Sequence, residues 1–283
     1  MISSAVFPIQ KINHNEMQNT DDYIAVEEPV EIRISFLNEQ KKLITRPLSV
    51  TMRTPAPSQD IELAAGFLLT EGIICGKDDI QKARQLDEHV VLIELNEKIR
   101  PDMHKLERHF YTSSSCGVCG KTSIDAVKTS CPVQVPDSNF IAVSPSIIYS
   151  LPIQLSERQN TFAATGGLHA SALFDDKGNL LSVREDVGRH NALDKLIGAA
   201  MFDDILPLQN YILLLSGRAS FELIQKATMS GISFVCAVGA PSSLAVELAI
   251  DRKMTLIGFL RNERFNIYCG AERVMLKEEP INK

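Results

Sequence analysis

This sequence predicts an α/β fold preceded by a smaller N-terminal α+β domain, on three observations. Apolar runs at Tyr211–Leu215, Ser233–Val238 and Thr255–Phe259 alternate with helical crossovers, the pattern of a sheet covered on both faces. Ahead of them, Val30, Ile32, Ile34 and Phe36 share one side of an alternating stretch and Glu31, Arg33 and Ser35 the other, as in a half-buried strand. Between these, Ile61, Ala64, Ala65, Leu68 and Gly72 recur at helical spacing, so a helix packs one face on the strands.

Taken in order, residues 1–24 are polar and unpatterned and read as a flexible, frayed arm. Residues 25–110 form the α+β domain. Its first strand turns at Asn38-Glu39-Gln40 into a second extended segment, Lys42–Met52, interrupted at Pro47. A helix follows from Pro57, with Ser58 expected as its N-cap and Asp60 and Glu62 at the positive end of its dipole. Val90–Leu95 reads as another strand. Residues 111–130 hold a loop with two thiols, and residues 131–283 make the C-terminal domain. There, an apolar run after Thr165-Gly166-Gly167 turns at Asp176-Lys177-Gly178-Asn179 and returns as a hairpin. Arg184-Glu-Asp-Val-Gly-Arg-His-Asn191 then opens a helix whose Leu193, Leu196, Ile197, Ala200 and Met201 share a stripe. Right-handed crossovers place the later strand-to-helix loops along one sheet edge, where open α/β sheets bind ligands.

Composition narrows the function classes. The 283 residues are 45% apolar and 23% charged, ordinary for a soluble globular protein. A net charge of −6 argues against a general nucleic-acid binder. No apolar run is long enough for a membrane span, and the start, Met1-Ile-Ser-Ser-Ala-Val-Phe-Pro8, lacks a secretory pattern. Six cysteines at irregular spacing do not form a disulfide framework, so a reducing cytoplasm is expected.

The stretch carrying the most chemistry is Tyr111-Thr-Ser-Ser-Ser-Cys116-Gly-Val-Cys119-Gly-Lys121. Gly117 and Gly120 let the backbone bend closely, and the serines favour turns, so a solvent-facing loop presenting sulfur is expected. Such a pair can hold zinc, cycle as a redox dithiol, carry sulfur as a persulfide, or simply pack. Zinc needs a second ligand pair, for which only Cys131, His104 and His109 are at hand. Elsewhere, Gly217-Arg218-Ala219-Ser220 marks a strand-to-helix turn suited to phosphate, with helix capping and a surface ion pair as the plain alternative. Ser242 and Ser243 repeat the pattern and read as caps. Arg261-Asn262-Glu263-Arg264 reads as a hairpin tip, either a solvated turn or a pair of guanidinium groups for pyrophosphate or guanine. His169 and His190 are open between structure and proton transfer, Cys236 is packing, and Cys75, Cys131 and Cys269 lack a local partner.

Together these segments resemble the formate dehydrogenase accessory sulfurtransferases, the FdhD/NarQ family. The resemblance rests on Ser115-Cys-Gly-Val-Cys-Gly120, Thr165-Gly-Gly-Leu-His-Ala170, Arg184–Lys195, Ser216-Gly-Arg-Ala-Ser220, Gln225-Lys-Ala227 and Leu256-Ile-Gly-Phe-Leu-Arg261. It implies a cytoplasmic, homodimeric sulfur carrier with a C-terminal part similar to cytidine deaminase, an αβα layer with a mixed sheet. It implies that sulfur arrives from a cysteine desulfurase. The sulfur passes to the molybdenum or tungsten bis(molybdopterin guanine dinucleotide) cofactor, bound as cargo, before insertion into formate dehydrogenase. It implies Cys116 as the persulfide-bearing residue and Cys119 as its partner. By the same match, Phe259, Leu260, Arg261, Asn262, Glu263 and Arg264 form the cofactor-binding segment, with Arg218 and Ser220 raised as further contacts. Asn262 stands where many relatives carry Gly, and Asn tolerates positive φ better than most residues. No resident metal, nucleic acid or membrane partner is implied. A CxxC thiol-disulfide oxidoreductase and a non-catalytic cofactor-binding chaperone are the competing readings. Zinc deamination is disfavoured, because Ser171 stands two residues after His169 and Ser115 precedes Cys116 where that chemistry uses His-x-Glu and Pro-Cys-x-x-Cys.

Overall fold

The computed structural model describes residues 3–56, 58–101 and 141–276, and within them three sheets. The first is a hairpin of β1 (Ser4–Asn13) and β2 (Glu16–Ala25), antiparallel from the pair Ser4–Ala25 to the pair Asn13–Glu16. This corrects the expectation of a frayed arm over 1–24. The hairpin is held by backbone pairing, and most of its side chains stay in solvent, so it lacks the buried alternation that marks a strand in sequence.

The second sheet has the order β4–β3–β6–β5, from β3 (Glu28–Leu37), β4 (Leu43–Arg53), β5 (Ile80–Asp87) and β6 (Val90–Leu95). β3 runs antiparallel to β4 and parallel to β6. Its predicted apolar side is buried, Val30, Ile32 and Ile34 almost completely. Pro47 is accommodated because β4 is an edge strand and Pro47 lies at a register shift opposite Arg33.

Helix α1 (Gln59–Thr70) covers this sheet, and its other side meets α4 (Arg189–Phe202). A Cβ placed on Gly66 would fall 1.9 Å from the carbonyl oxygen of Asp194, and one on Gly198 would fall 1.9 Å from that of Glu62. The two helices therefore cross backbone to backbone. Ser58 stands at the predicted N-cap but has a left-handed backbone, φ 64°, and its hydroxyl makes no cap bond. The start of α1 is anchored instead by Asp60, buried in a bidentate pair with Arg53 at 2.9 Å.

The third sheet has six strands in the order β12–β11–β10–β9–β7–β8. They are β7 (His169–Phe174), β8 (Leu180–Asp186), β9 (Ile212–Leu215), β10 (Phe234–Ala237), β11 (Thr255–Arg261) and β12 (Arg264–Cys269). β9, β10 and β11 are parallel, and the outer pairings are antiparallel, so the sheet is mixed as expected. Its inner strands β7, β9 and β10 are buried on both faces. Leu213, Leu215, Val235 and Leu256 join the core shared with α1, α4, α5 (Phe221–Met229) and α6 (Ser243–Asp251). Ile212, Leu214, Phe234 and Ile257 point the other way, onto Ile148, Leu151 and Leu155 of α2 (Pro145–Ser156). A short helix, α3 (Asn160–Thr165), leads into β7.

The core reached from β3 through α1 to β9 and β10 is continuous, so the smaller sheet and the larger share one hydrophobic cluster. Buried polar pairs reinforce the junction. Lys226 of α5 donates to Asp194 of α4 and to Thr70 of α1, each at 2.9 Å, and Lys195 sits 2.6 Å from Asp186.

Candidate functional site

The site grows from the way the parallel strands end. β9 leaves the sheet at Leu215, and Ser216 is fixed to the start of β7 in both directions: its N–H donates to Ala170 O at 3.0 Å, and its Oγ accepts from Ala170 N at 2.8 Å. This sets Gly217 against the His169 ring, where a Cβ would come within 3.3 Å of Nδ1. One strand along, Gly239 N donates to Gly217 O at 2.9 Å, and Gly239 O accepts from Phe259 N at 3.1 Å. A Cβ on Gly239 would lie 3.0 Å from Arg218 N, so a larger residue would press the two loops apart by a few tenths of an ångström. Ala219 N to Ala240 O at 3.2 Å and Ser242 N to Ala219 O at 3.0 Å finish the lacing. His169, Gly217, Gly239 and Phe259 thus form consecutive steps of a single rim.

Two helices start at this rim, and polar atoms collect around them. Arg189 and His190 open α4, and Ser220 and Glu222 open α5. His190 Nε2 lies 2.7 Å from Glu222 Oε2 without the alignment of a hydrogen bond. Arg189 Nε, Ser220 Oγ and Glu222 Oε1 are buried with no hydrogen-bond partner, although Glu222 is only 9% exposed. Leaving such atoms unpaired costs about 1–3 kcal/mol each, so their concentration at one place suits a polar ligand. The serine pair makes the point locally. Ser242 Oγ accepts from Ala245 N at 3.3 Å and caps α6, as the sequence predicts, whereas Ser220 in the equivalent position does not cap α5.

The electrostatics favour an anion. Burial holds the His169 imidazole below its usual pKa, and the neighbouring charges of Arg189, His190 and Arg218 push the same way against Asp186. His169 is therefore a neutral imidazole at pH 7, with the cations Arg189 and Arg218, the carboxylate of Asp186 and the N-terminal ends of two helices nearby. Arg218 is exposed on the loop between β9 and α5.

Past the rim, β11 continues into the predicted hairpin tip, with Arg261 opposite Arg264. Asn262 and Glu263 have φ of 51° and 53°, the two positive values of a type I′ link, so Asn262 does what Gly would do there. Arg261, Asn262, Glu263 and Arg264 are exposed, and Phe259, φ 55°, stands at the rim. Leu260 differs from the expectation for a contact residue: its side chain is completely buried in the core beneath and can present only backbone to a ligand. The structure thus brings Arg218, Ser220 and Phe259 onto one edge, with Arg261 and Arg264 projecting beyond it.

Cys116, Cys119 and Lys121, with His104, His109 and Cys131, lie outside the described residues. Within the described residues, Cys236 is buried in β10, and desolvation pushes its thiol far above the usual range, consistent with packing. Among the described residues there is no group of three or more His, Cys, Asp or Glu placed to hold a metal ion. The deaminase signature is missing at the helix starts too, since Ala192 stands two residues after His190 and Ser216–Ser220 contains no cysteine. Sequence reasoning gave no weight to Arg189 or Glu222; a carboxylate in the first turn of a helix is an ordinary dipole partner and signals nothing by itself.

The fold and rim define a class: a mixed-sheet α/β protein with an anion-favouring edge fed by two helix N-termini. The chain belongs to the FdhD/NarQ family, whose model matches residues 25–275. It is 46% identical over 277 residues to the sulfur carrier protein FdhD of Streptomyces coelicolor, covering 94% of each chain. It is 37% identical over 268 residues to the protein of the same name in Saccharolobus solfataricus, covering 95% of this chain and 97% of the relative. Its fold matches a crystal structure assigned as a formate dehydrogenase accessory protein from Desulfotalea psychrophila. That match has a TM-score of 0.72 and 22% identity, over 97% of this chain and 100% of the other.

Proposed function

We propose that this protein is a sulfur carrier that works as a sulfurtransferase in the cytoplasm. It takes sulfane sulfur from a cysteine desulfurase as a persulfide on Cys116, with Cys119, three residues on, as its partner thiol. It passes that sulfur to the molybdenum or tungsten bis(molybdopterin guanine dinucleotide) cofactor, its cargo, before the cofactor enters a formate dehydrogenase. One observation carries the proposal: the family match from 25 to 275 runs through the Cys116–Cys119 pair, and the full-length relatives matched over that span are named sulfur carriers.

The chemistry balances without an outside oxidant. The Cys116 thiolate attacks the outer sulfur of the donor's persulfide, a new S–S bond forms, the donor's S–S bond breaks, and the donor leaves as a thiolate. In the second step a nucleophilic atom of the acceptor attacks the outer sulfur, a bond from that atom to sulfur forms, the Cys116 S–S bond breaks, and Cys116 leaves as a thiolate. A cation close in sequence, such as Lys121, favours the thiolate form of the attacking sulfur. The rim supports the second half of the proposal. Arg218 and Ser220 at the start of α5, and Arg261 and Arg264 on the β11–β12 tip, suit the phosphates of a guanine dinucleotide. The neutral His169 offers a hydrogen bond without adding another buried charge.

The test is formate dehydrogenase activity in cells that depend on this protein. Cys116→Ala is expected to abolish activity, and Cys119→Ala to reduce it. Full activity with Cys116→Ala would favour a non-catalytic chaperone. Equal, complete loss in both variants, together with turnover of a generic disulfide, would favour a dithiol oxidoreductase.

A further inference from the structure

Glu222, in the first turn of α5, is the rim group that the fold itself accounts for least. The residue is 9% exposed, yet among the described residues its Oε1 has no hydrogen-bond partner. Lys226, one turn along the helix, donates to Asp194 and Thr70 instead. The side chains of His190 and Glu222 keep 13% and 12% of their surface open, so the pair is sunk into the rim without being sealed. A carboxylate oxygen at this depth has given up its bonds to water, and what would restore them is a donor.

The surroundings select the kind of donor. Arg189 opens α4 next to His190 with its Nε buried and unpaired, and the N-terminal ends of α4 and α5 carry partial positive charge. A ligand bringing an ammonium or guanidinium group would be repelled, so the donor is a neutral N–H on a molecule whose own charge is negative. Heterocyclic edges differ in what they show a carboxylate. Adenine and cytosine place a ring-nitrogen lone pair beside the amine, and uracil flanks its N–H with two carbonyls, so each aims an acceptor at an acceptor. The 2-amino-4-oxopyrimidine edge sets a ring N–H and an amine side by side, and guanine and pterin both carry it.

We infer that Glu222 determines specificity at the rim by accepting the N–H donors of a 2-amino-4-oxopyrimidine edge, while phosphates of the same molecule rest on the neighbouring cations. The inference rests on the cargo proposed above and sharpens it: Arg218 and Ser220 suit phosphate, which every nucleotide has, so the choice of ring falls to Glu222. A site that hydrogen-bonds an amine rejects the analogue lacking it, because its own acceptor is then left bare.

The test is calorimetric binding to the full-length protein, with GDP, ADP and IDP, which differs from GDP only by lacking the 2-amino group, and with 6-carboxypterin as the pterin probe. With guanine at Glu222, the unaltered protein binds GDP about tenfold or more tighter than IDP. Glu222→Ala should then bring the two within about twofold, and Glu222→Gln, which keeps a neutral acceptor, should fall between. With pterin at Glu222, it is 6-carboxypterin that weakens about tenfold in Glu222→Ala, and GDP is unchanged. Either pattern supports the inference and says which ring is seated there. A purely structural Glu222 would weaken GDP, IDP and ADP alike, and that result would overturn it. So would unchanged GDP and 6-carboxypterin affinities in Glu222→Ala, or an unaltered protein that binds neither. The GDP-to-IDP ratio of the unaltered protein needs no variant, and ratios are unaffected by a fraction of unfolded chain. Loading of sulfur on Cys116 is measured separately, so failure here with persulfide formation intact would remove the role of Glu222 and leave sulfur carriage standing.

Discussion

Ser220 and Ser242 hold equivalent positions on neighbouring crossovers, yet only Ser242 caps its helix. The difference separates a structural hydroxyl from one available to a ligand. Ser242→Ala is expected to lower stability by about 1 kcal/mol, as for a lost N-cap, with nucleotide binding unchanged. Ser220→Ala should leave urea stability within about 0.5 kcal/mol and weaken binding of GDP, a soluble fragment of the cargo, by roughly tenfold. The reverse ranking, read from urea melts and calorimetry, would contradict this assignment. His169 makes a second residue-scale prediction. Its pKa is held low in the folded chain by burial and nearby cations, so the unfolded chain takes up the proton first as pH falls below about 6.5. Its contribution is fully present above that value and is lost as pH drops toward the folded-state pKa. His169→Gln should therefore flatten the acid-side decline of stability, and an identical slope in both proteins would count against a depressed His169. In the sequence, Ser220 and Arg218 were legible because strand, Gly, Arg and Ser follow in order. Arg189 and Glu222 were not, because what matters is an unpaired atom, and pairing is a property of three-dimensional packing.

At the scale of elements, the crossing of α1 and α4 depends on two glycines whose role the sequence conceals. Gly198 sits on a helix where Ala would ordinarily be favoured by about 1 kcal/mol. Here a methyl meets the Glu62 carbonyl at 1.9 Å, and the obstacle is backbone, which cannot rotate away. Gly198→Ala should cost more than about 2 kcal/mol in urea-induced unfolding, the overpacking penalty outweighing the gain in propensity. A stabilised variant would mean that the helices are not in this contact. The apolar strands, the 176–179 turn and the Arg261–Arg264 tip were all readable, since each has its own local chemistry: unbroken apolar runs, Gly178 at φ 80°, and two residues at positive φ. β5 and the N-terminal hairpin were not. Their stability comes from cross-strand backbone bonds and leaves little apolar periodicity. Ser58 has the right residue type for a cap, but the turn before α1 takes it into the left-handed region, which points its hydroxyl away from the helix N–H groups.

At the scale of the whole molecule, one core links the small sheet, α1, the α4–α6 layer and the large sheet, with Arg53–Asp60 and Lys226–Asp194 set inside it. Removing one member of such a buried pair strands a charge, typically at a cost of about 3–5 kcal/mol, so these residues fix how the layers register. That rigid frame keeps Gly239 N within 2.9 Å of Gly217 O on the neighbouring loop. The central claim, sulfur carriage, is tested most directly by mass. The full-length protein is incubated with a cysteine desulfurase and L-cysteine, digested without reductant, and the peptide containing Cys116 is weighed. The account predicts a gain of about 32 Da, one sulfur atom, on that peptide, absent when the desulfurase is omitted and in Cys116→Ala. An unchanged mass in the unaltered protein, under conditions where the desulfurase itself carries persulfide, would contradict it.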